Sequence, residues 1–144
     1  MFVDTNVLVY ATAKGAPHRE QARAAIAHYA ATGETLCISR QVLREFLAVV
    51  TRPQTWAQAQ TATQGASTAL NLARDFEILE DGPQVWDQLV ALCRNFVFGG
   101  RQVHDANIVA TMLAHGETGL LTFNIADFQR FASVINLLPL VTSI

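Results

Sequence analysis

The segment Met1–Tyr10, MFVDTNVLVY, combines the pattern of a buried strand with a charged residue. Seven of its ten residues are apolar, yet Asp4 interrupts the run and two small polar residues follow it. Asp is almost never fully buried without a partner, and an isolated charge in a low-dielectric interior is costly unless its pKa shifts. The segment therefore predicts that Asp4 ends a strand and meets a compensating group there.

Length and composition indicate one globular domain over residues 1–144, with more apolar surface than a small core needs. The chain is 51% hydrophobic and only 15% charged, against a usual charged fraction of ~25%. An excess of apolar surface favours a homo-oligomer or an obligate partner. No apolar run reaches the ~18 residues of a membrane span, and the N-terminus does not resemble a signal peptide. Cys37 and Cys93 form no C-x-x-C motif, so we expect two buried, reduced thiols in a cytoplasmic protein.

The charge balance leaves the kind of partner open. The formal net charge is −2, from 10 basic and 12 acidic residues, and Lys14 is the only basic residue that is not Arg. Arg suits phosphate contacts, but the same residues would also fit ordinary surface ion pairs.

Strand and helix patterns alternate along the chain. Short apolar strands are predicted at 1–4, 35–39, 76–80 and 119–123, with a short last strand at 138–144. Helices are predicted at 17–32, 40–51, 82–96, 103–116 and 125–132, with one or two more over about 57–74 and a helix from about residue 6. Ser39 is placed as an N-cap, and Pro53 ends the helix that follows it. Strands separated by helices predict parallel pairing and a layered α/β domain.

Acidic side chains follow or flank several of these strands. Asp4 ends the first strand, Glu45 lies on the helix after the second, and Asn124 and Asp127 follow the fourth. Ligands of open parallel sheets bind outside the carboxyl ends of the strands. Asp105, in the first turn of the helix before the fourth strand, can face the same edge. We therefore expect these groups to converge at one edge of the sheet.

Each acid also has a simpler interpretation. Asp105 could complement a helix dipole, Asp127 could be an N-cap, and Glu45 could pair with a nearby Arg. His104 could be a ligand or a base, although a lone His at a helix start is more often a capping or surface residue. Several carboxylates at one edge would repel each other unless a cation bound among them. Oxygen-only ligands favour Mg²⁺ or Mn²⁺.

Four segments follow one another along the chain: FVDTNVLVY, SRQVLREFLAVVTRP, VHDANIVATMLAHG and LLTFNIADFQRF. Together they resemble the motif regions of PIN-domain nucleases, and most closely those of the VapC-like toxins of bacterial type II toxin–antitoxin pairs. The resemblance implies a three-layer α/β domain, with a central, mainly parallel sheet of four to five strands flanked by helices. It assigns Asp4, Glu45 and Asp105 to the first three acidic positions. Members often carry Asp where this chain has Asn124, so the fourth position falls either to Asp127 or to Asn124 as a neutral ligand.

By this resemblance the chain would be a Mg²⁺-dependent endoribonuclease, with Mn²⁺ as a plausible substitute. Asp4 and Asp105 would hold the ion, while Glu45 and Asp127 would orient water or a second ion. The side chains that would fix these carboxylates are Thr5, Asn6, Thr122 and Asn124. The resemblance also implies an RNA substrate, a homodimer and a cognate antitoxin. Candidate docking residues for the antitoxin are Trp56, Trp86, Phe96 and Phe98, although aromatic residues are more often part of a core.

Two other functions would place Asp at the end of a first strand. A metal-dependent phosphohydrolase generally needs D-x-D or a functional Lys on a late strand, whereas this chain has Asp4-Thr5-Asn6 and only Lys14. A catalytically inactive RNA- or protein-binding module would not need acids at the first three positions. DNA stays open as a substrate, because metal-assisted hydrolysis does not require the 2′-hydroxyl group.

Overall fold

The centre of the computed structural model, which describes residues 1–140, is a five-stranded sheet. Its strands are β1 (Phe2–Val3), β2 (Cys37–Ser39), β3 (Glu77–Leu79), β4 (Gly119–Leu121) and β5 (Asn136–Leu138). All neighbours pair in parallel, in the order β3-β2-β1-β4-β5. The alternation of elements in the sequence predicted this parallel α/β sheet correctly.

Helices cover the sheet to give a three-layer arrangement, as predicted. Within residues 1–140 they are α1 (Thr5–Thr12), α2 (Arg19–Ala31), α3 (Arg40–Val50), α4 (Ala62–Asp75), α5 (Pro83–Asn95), α6 (Gln102–Ala114) and α7 (Ile125–Phe128), the last followed by a 3₁₀ turn at Gln129–Phe131. Helix α1 packs against α2 and α3, α3 packs against α4, and α5 packs along α6. None of these helices has the length and apolar character needed to cross a membrane.

Local sequence signals set the limits of helix α3. The Ser39 hydroxyl accepts a hydrogen bond from the Val42 amide at 3.3 Å, so Ser39 is the N-cap that the sequence predicted. The helix ends at Val50, shortly before Pro53. Its buried face includes Phe46, which is fully inaccessible to solvent. These signals fix which face of α3 meets the core, and therefore where its polar residues point.

Two predicted element boundaries are wrong, and each has a local cause. Helix α4 begins at Ala62 rather than near residue 57, because Thr61 and Gln64 form a reciprocal capping box. The last strand is β5, of which only Leu138 lies in the predicted segment 138–144. Proline has no N–H to donate to a ladder, so the strand ends before Pro139. Residues 141–144 lie outside the described part of the chain, and the predicted extent of the domain, 1–144, stays a prediction.

Two predictions of buried side chains on α5 are also wrong. Cys37 is buried in β2 as expected, but Cys93 is exposed. Trp86 is 65% exposed. The buried positions of α5 are Val85 and Leu92. Cys93 and Trp86 are each one residue further on, so they turn away from the buried stripe.

The strand order creates a crevice beside β1. From β1 the chain moves outward to β2 and β3 on one side, and it returns to place β4 and β5 on the other. The order reverses between β1 and β4, and such a switch point leaves a crevice outside the carboxyl ends of the two strands. Asp4 follows β1 directly, and Thr122 follows β4 directly.

Candidate active site

Asp4 is buried at the carboxyl end of β1 and is the N-cap of α1. Its Oδ1 accepts a hydrogen bond from the Thr5 amide at 2.8 Å. Its Oδ2 accepts bonds from the Thr122 hydroxyl at 2.7 Å and from Asn6 Nδ2 at 3.1 Å. The buried carboxylate therefore has three neutral donors, and no positive side chain of residues 1–140 forms an ion pair with it.

Neutral donors do not fully compensate the burial of this charge. Burial raises the pKa of Asp4 to about 6. The hydrogen bonds from Thr122 and Thr5 lower this pKa, whereas the negative charges of Glu45 and Asp105 raise it further. The carboxylate is therefore held where a positive ion would stabilise its charged form.

Glu45 projects from α3 towards the same crevice, and both of its carboxylate oxygens accept hydrogen bonds. The Thr5 hydroxyl donates to Oε2 at 2.7 Å, and Gln41 Nε2 donates to Oε1 at 2.9 Å. Thr5 thus contacts Asp4 through its backbone amide and Glu45 through its side chain. The two acids are held in a fixed relation by one residue.

The buried side chain of Gln41 joins α3 to α6, and sequence reasoning missed it. Its Nε2 also donates to the His104 carbonyl at 2.8 Å, and its Oε1 accepts from Asn107 Nδ2 at 2.7 Å. A polar residue on the buried face of an amphipathic helix, one turn before Glu45, was the available signal. Through Gln41, the position of Glu45 depends on where α6 lies.

Asp105 lies in the first turn of α6 and is partly buried. Burial raises its pKa to about 6, and the negative charges of Asp127 and Glu45 also raise it. Arg130 and His104 have the opposite effect and lower this pKa. No side chain or backbone group of residues 1–140 donates a hydrogen bond to its carboxylate. Both carboxylate oxygens of Asp105 are therefore free, whereas Asp4 and Glu45 use part of their acceptor capacity in hydrogen bonds and keep the rest for a ligand.

The two candidates for the fourth site position, Asn124 and Asp127, lie in different places. Asn124 lines the crevice, and its backbone amide donates to the Thr122 hydroxyl at 2.9 Å. Asp127 lies on α7 and is exposed, near enough to Asp105 to raise the pKa of that carboxyl. Asn6 Oδ1 accepts from the Phe123 amide at 3.0 Å and so ties this loop to α1.

The crevice is a cavity of about 600 Å³, within the size range of ligand sites in proteins. Asp4, Glu45 and Asp105 all line it, together with Thr5, Asn6 and Asn124. Strand β1, helix α3 and helix α6 each supply one of the three acids. His104 also lines the cavity but is exposed, and its side chain makes no hydrogen bond with residues 1–140.

The sequence of the chain matches the pattern of one known protein family. The sequence pattern of the PIN domain matches residues 1–134, almost the whole chain. The chain belongs to the PIN domain family. Among curated proteins, none matches it significantly.

Solved structures with the same fold include several toxin–antitoxin proteins. This PIN domain superposes with a TM-score of 0.69 on VapBC2 from Rickettsia felis, a complex bound to a DNA fragment from its promoter, at 23% identity over 95% of this chain and 96% of that one. A toxin–antitoxin complex from Klebsiella pneumoniae gives 0.68 at 21% identity, over 99% and 98%. VapC20 from Mycobacterium tuberculosis, a sarcin-ricin loop cleaving toxin, gives 0.68 at 16% identity, over 96% and 98%. At these identities the likeness concerns the fold.

The carboxylates of this PIN domain fit a divalent cation that takes some of its ligands from the protein and the others from water and substrate. Within residues 1–140, no group of three or more His, Cys, Asp or Glu side chains is arranged to hold a metal ion. Mg²⁺ commonly binds through one or two carboxylates and completes its shell with water and substrate phosphate. Asp4, with a raised pKa, and Asp105, with free oxygens, supply two such carboxylates.

Proposed function

We propose that this chain is a divalent-cation-dependent endoribonuclease and the toxin of a toxin–antitoxin pair. The observation that carries the proposal is the convergence of three carboxylates, from three separate elements, on one cavity at the switch point of the sheet. Burial raises the pKa of Asp4 and of Asp105, and the negative charge of Glu45 raises both further. Clustered acids with perturbed pKa values in a cleft are typical of a functional site.

Each side chain has a role that follows from its contacts. Asp4 and Asp105 would hold Mg²⁺, or Mn²⁺ in its place, and the bound cation would supply a Lewis acid and a source of hydroxide near neutral pH. Glu45, fixed by two donors, would orient the attacking water and accept its proton. Asp127, on the exposed side of Asp105, would help to orient the water or a second ion.

Three polar side chains and one backbone amide orient these acids rather than react. Thr5 and Thr122 donate to carboxylates, Asn6 links Asp4 to the loop after β4, and the backbone amide of Asn124 closes that loop onto Thr122. Hydrogen bonds of this kind hold ligand oxygens in one orientation before a metal arrives. Hydrolysis by an activated water would leave a 5′-phosphate and a 3′-hydroxyl on the cleaved RNA.

The toxin part of the proposal rests on the fold. One of the similar structures is described as a toxin–antitoxin complex, and another as a sarcin-ricin loop cleaving toxin. For this chain we accordingly propose RNA as substrate, a cognate antitoxin, a homodimer and a cytoplasmic location. Growth arrest on induction, relieved by co-expression of a small protein from the adjacent reading frame, would support the toxin role.

Cleavage of purified RNA with Mg²⁺ or with EDTA tests the nuclease part. The parent should cleave only with Mg²⁺, whereas Asp105→Asn should lose cleavage and remain folded, because Asp105 makes no hydrogen bond that the fold needs. Asp87→Asn, which removes an exposed acid on α5, is the matched control and should cleave like the parent. Parent-like cleavage by Asp105→Asn would overturn the assignment of the site. RNA binding by the parent without any cleavage would instead favour an inactive binding module.

A further inference from the structure

The cavity beside the carboxylates also has an aromatic wall, formed by Tyr10 and Trp56. Asn6 and Tyr10 are four residues apart on α1, so they share one face of the helix, about 6 Å apart along its axis. Asp4 caps the near end of this helix. Tyr10 therefore stands six residues after the buried carboxylate of Asp4, about 9 Å along the helix axis.

The ring of Tyr10 is fixed by packing against other aromatic rings. Tyr10 meets Trp56 edge-on at a centroid distance of 6.4 Å and Phe123 at 5.1 Å. His18 stacks on Phe123 at 5.4 Å and contacts Tyr10 at 5.9 Å. Neither His18 nor Phe123 lines the cavity, so both support the aromatic wall from behind.

A turn of the backbone also holds Trp56 in place. The loop after α3 is closed by the Gln54 amide, which donates to the Ala57 carbonyl at 2.9 Å. Gly15, with φ of +75°, approaches so closely that a Cβ there would lie 3.0 Å from the Trp56 carbonyl oxygen. Only glycine takes this conformation and this approach without strain. Trp56 is thus a positioned side chain in an otherwise irregular loop.

Two arginines line the same cavity with their charges uncommitted. Arg52 follows the end of α3 and Arg101 precedes α6, and both are exposed. Neither forms an ion pair within 4 Å in residues 1–140, where the one Arg that does so is Arg40, with Glu80. Free guanidinium groups beside an acidic centre attract phosphates, which the acids alone would repel.

We propose that the aromatic wall is a stacking platform for one unpaired nucleobase, with Arg52 and Arg101 holding the phosphates beside it. The substrate class is single-stranded RNA, or a loop with a base turned outward, since a base stacked inside a duplex cannot reach the rings of Tyr10 and Trp56. Base stacking on aromatic side chains is the common means of binding single strands. The proposal rests on the proposed function, since the bound strand would present its phosphodiester to Asp4 and Asp105.

Tryptophan fluorescence tests binding without requiring cleavage. The chain contains two Trp residues, and Trp86→Phe leaves Trp56 as the sole emitter. In EDTA, a short unstructured RNA oligonucleotide should quench this variant, while the same RNA annealed to its complement should quench it less. Trp56→Phe, which leaves only the exposed Trp86 on α5, is the matched control and should show no quenching. Equal quenching of the two variants, or none in either, would overturn the platform.

Substitution and an abasic nucleotide test whether Trp56 acts on the base. Trp56→Ala should weaken binding of the oligonucleotide by about 5- to 150-fold, the range for loss of one stacked base. Trp56→Phe should recover most of that loss. One abasic position in a set scanned along the oligonucleotide should weaken binding to the parent but not to Trp56→Ala, because the two changes remove the same contact. A merely structural role for Trp56 would give additive losses.

The outcomes separate this proposal from the nuclease assignment. Quenching of Trp56 by single strands, with no RNA cleaved by the parent, would keep the platform and reject the nuclease. Cleavage by the parent, with Trp56→Ala binding and cleaving at the parent rate, would keep the nuclease and reject the platform.

Discussion

Replacement of Asp4 by Asn should change how the stability of the protein depends on pH. Asp4 is fully buried, and burial raises its pKa from 3.8 to about 6. The folded protein then binds this proton more tightly than the unfolded chain does. The free energy of unfolding therefore falls as the pH rises from about 4 to about 6, and the loss is complete above that window.

The size of the effect follows from the shift. A rise from 3.8 to about 6 corresponds to about 3 kcal/mol of stability lost from the parent in all, most of it between pH 4 and pH 7. The amide in Asp4→Asn carries no charge and escapes this loss. It cannot accept all three hydrogen bonds from Thr5, Thr122 and Asn6, which costs about 1–2 kcal/mol at every pH. The variant should therefore be less stable than the parent at pH 4 and more stable, by about 1–2 kcal/mol, at pH 7.5.

Urea unfolding from pH 4 to pH 8 in EDTA measures both curves. Asp87→Asn, on the exposed face of α5, controls for the general effect of removing one negative charge. Addition of Mg²⁺ at pH 7.5 should stabilise the parent according to ligand linkage, but not Asp4→Asn. Two stability curves that run parallel between pH 4 and pH 7 would refute the raised pKa of Asp4.

Substitutions at two positions probe the contacts around the site, and a labelling experiment probes the two cysteines. Thr122→Val removes the shortest donor to Asp4 and should lower stability by about 1–2 kcal/mol in urea at pH 7.5; an unchanged midpoint would contradict this. Gln41→Leu breaks the link from α3 to α6, so kcat on RNA should fall with little change in KM, whereas Gln41→Glu, which keeps one acceptor, should not restore it. Cys93 is exposed, while burial raises the pKa of the Cys37 thiol to about 12. A thiol reagent should label one cysteine in the folded protein and two in urea, and fast labelling of both without denaturant would disprove this.

Short-range signals allowed much of the fold to be predicted from the sequence. The N-cap at Ser39 and the stop at Pro53 depend only on neighbouring residues, and the structure has both. The parallel sheet followed from the alternation of strands and helices, because parallel strands require crossover connections. The boundary errors arose where one residue, such as Pro139, overrides a wider pattern.

The candidate site was only partly accessible to the same reasoning. Asp4 stood out because a carboxylate in an apolar strand needs an explanation, and the end of β1 is a site location by topology alone. The role of Gln41 depends on the distance between α3 and α6, which no local pattern determines. Trp56 lies in an irregular loop between α3 and α4, where no local pattern indicates that it lines the cavity. Side chains brought together from distant elements are visible only once the elements are packed.

The contacts of Asp4 also set the moment during synthesis at which the site can form. Its Oδ2 bonds to Thr122, 118 positions further along the chain, and its backbone amide bonds to Leu121. Domains are made from the N-terminus onward, at roughly 5–20 residues per second. Asp4 therefore leaves the ribosome many seconds before β4 exists to hold it. While those later residues are still being translated, the growing polypeptide has the acid but not the pocket, so the candidate site can form only after β4 has been made.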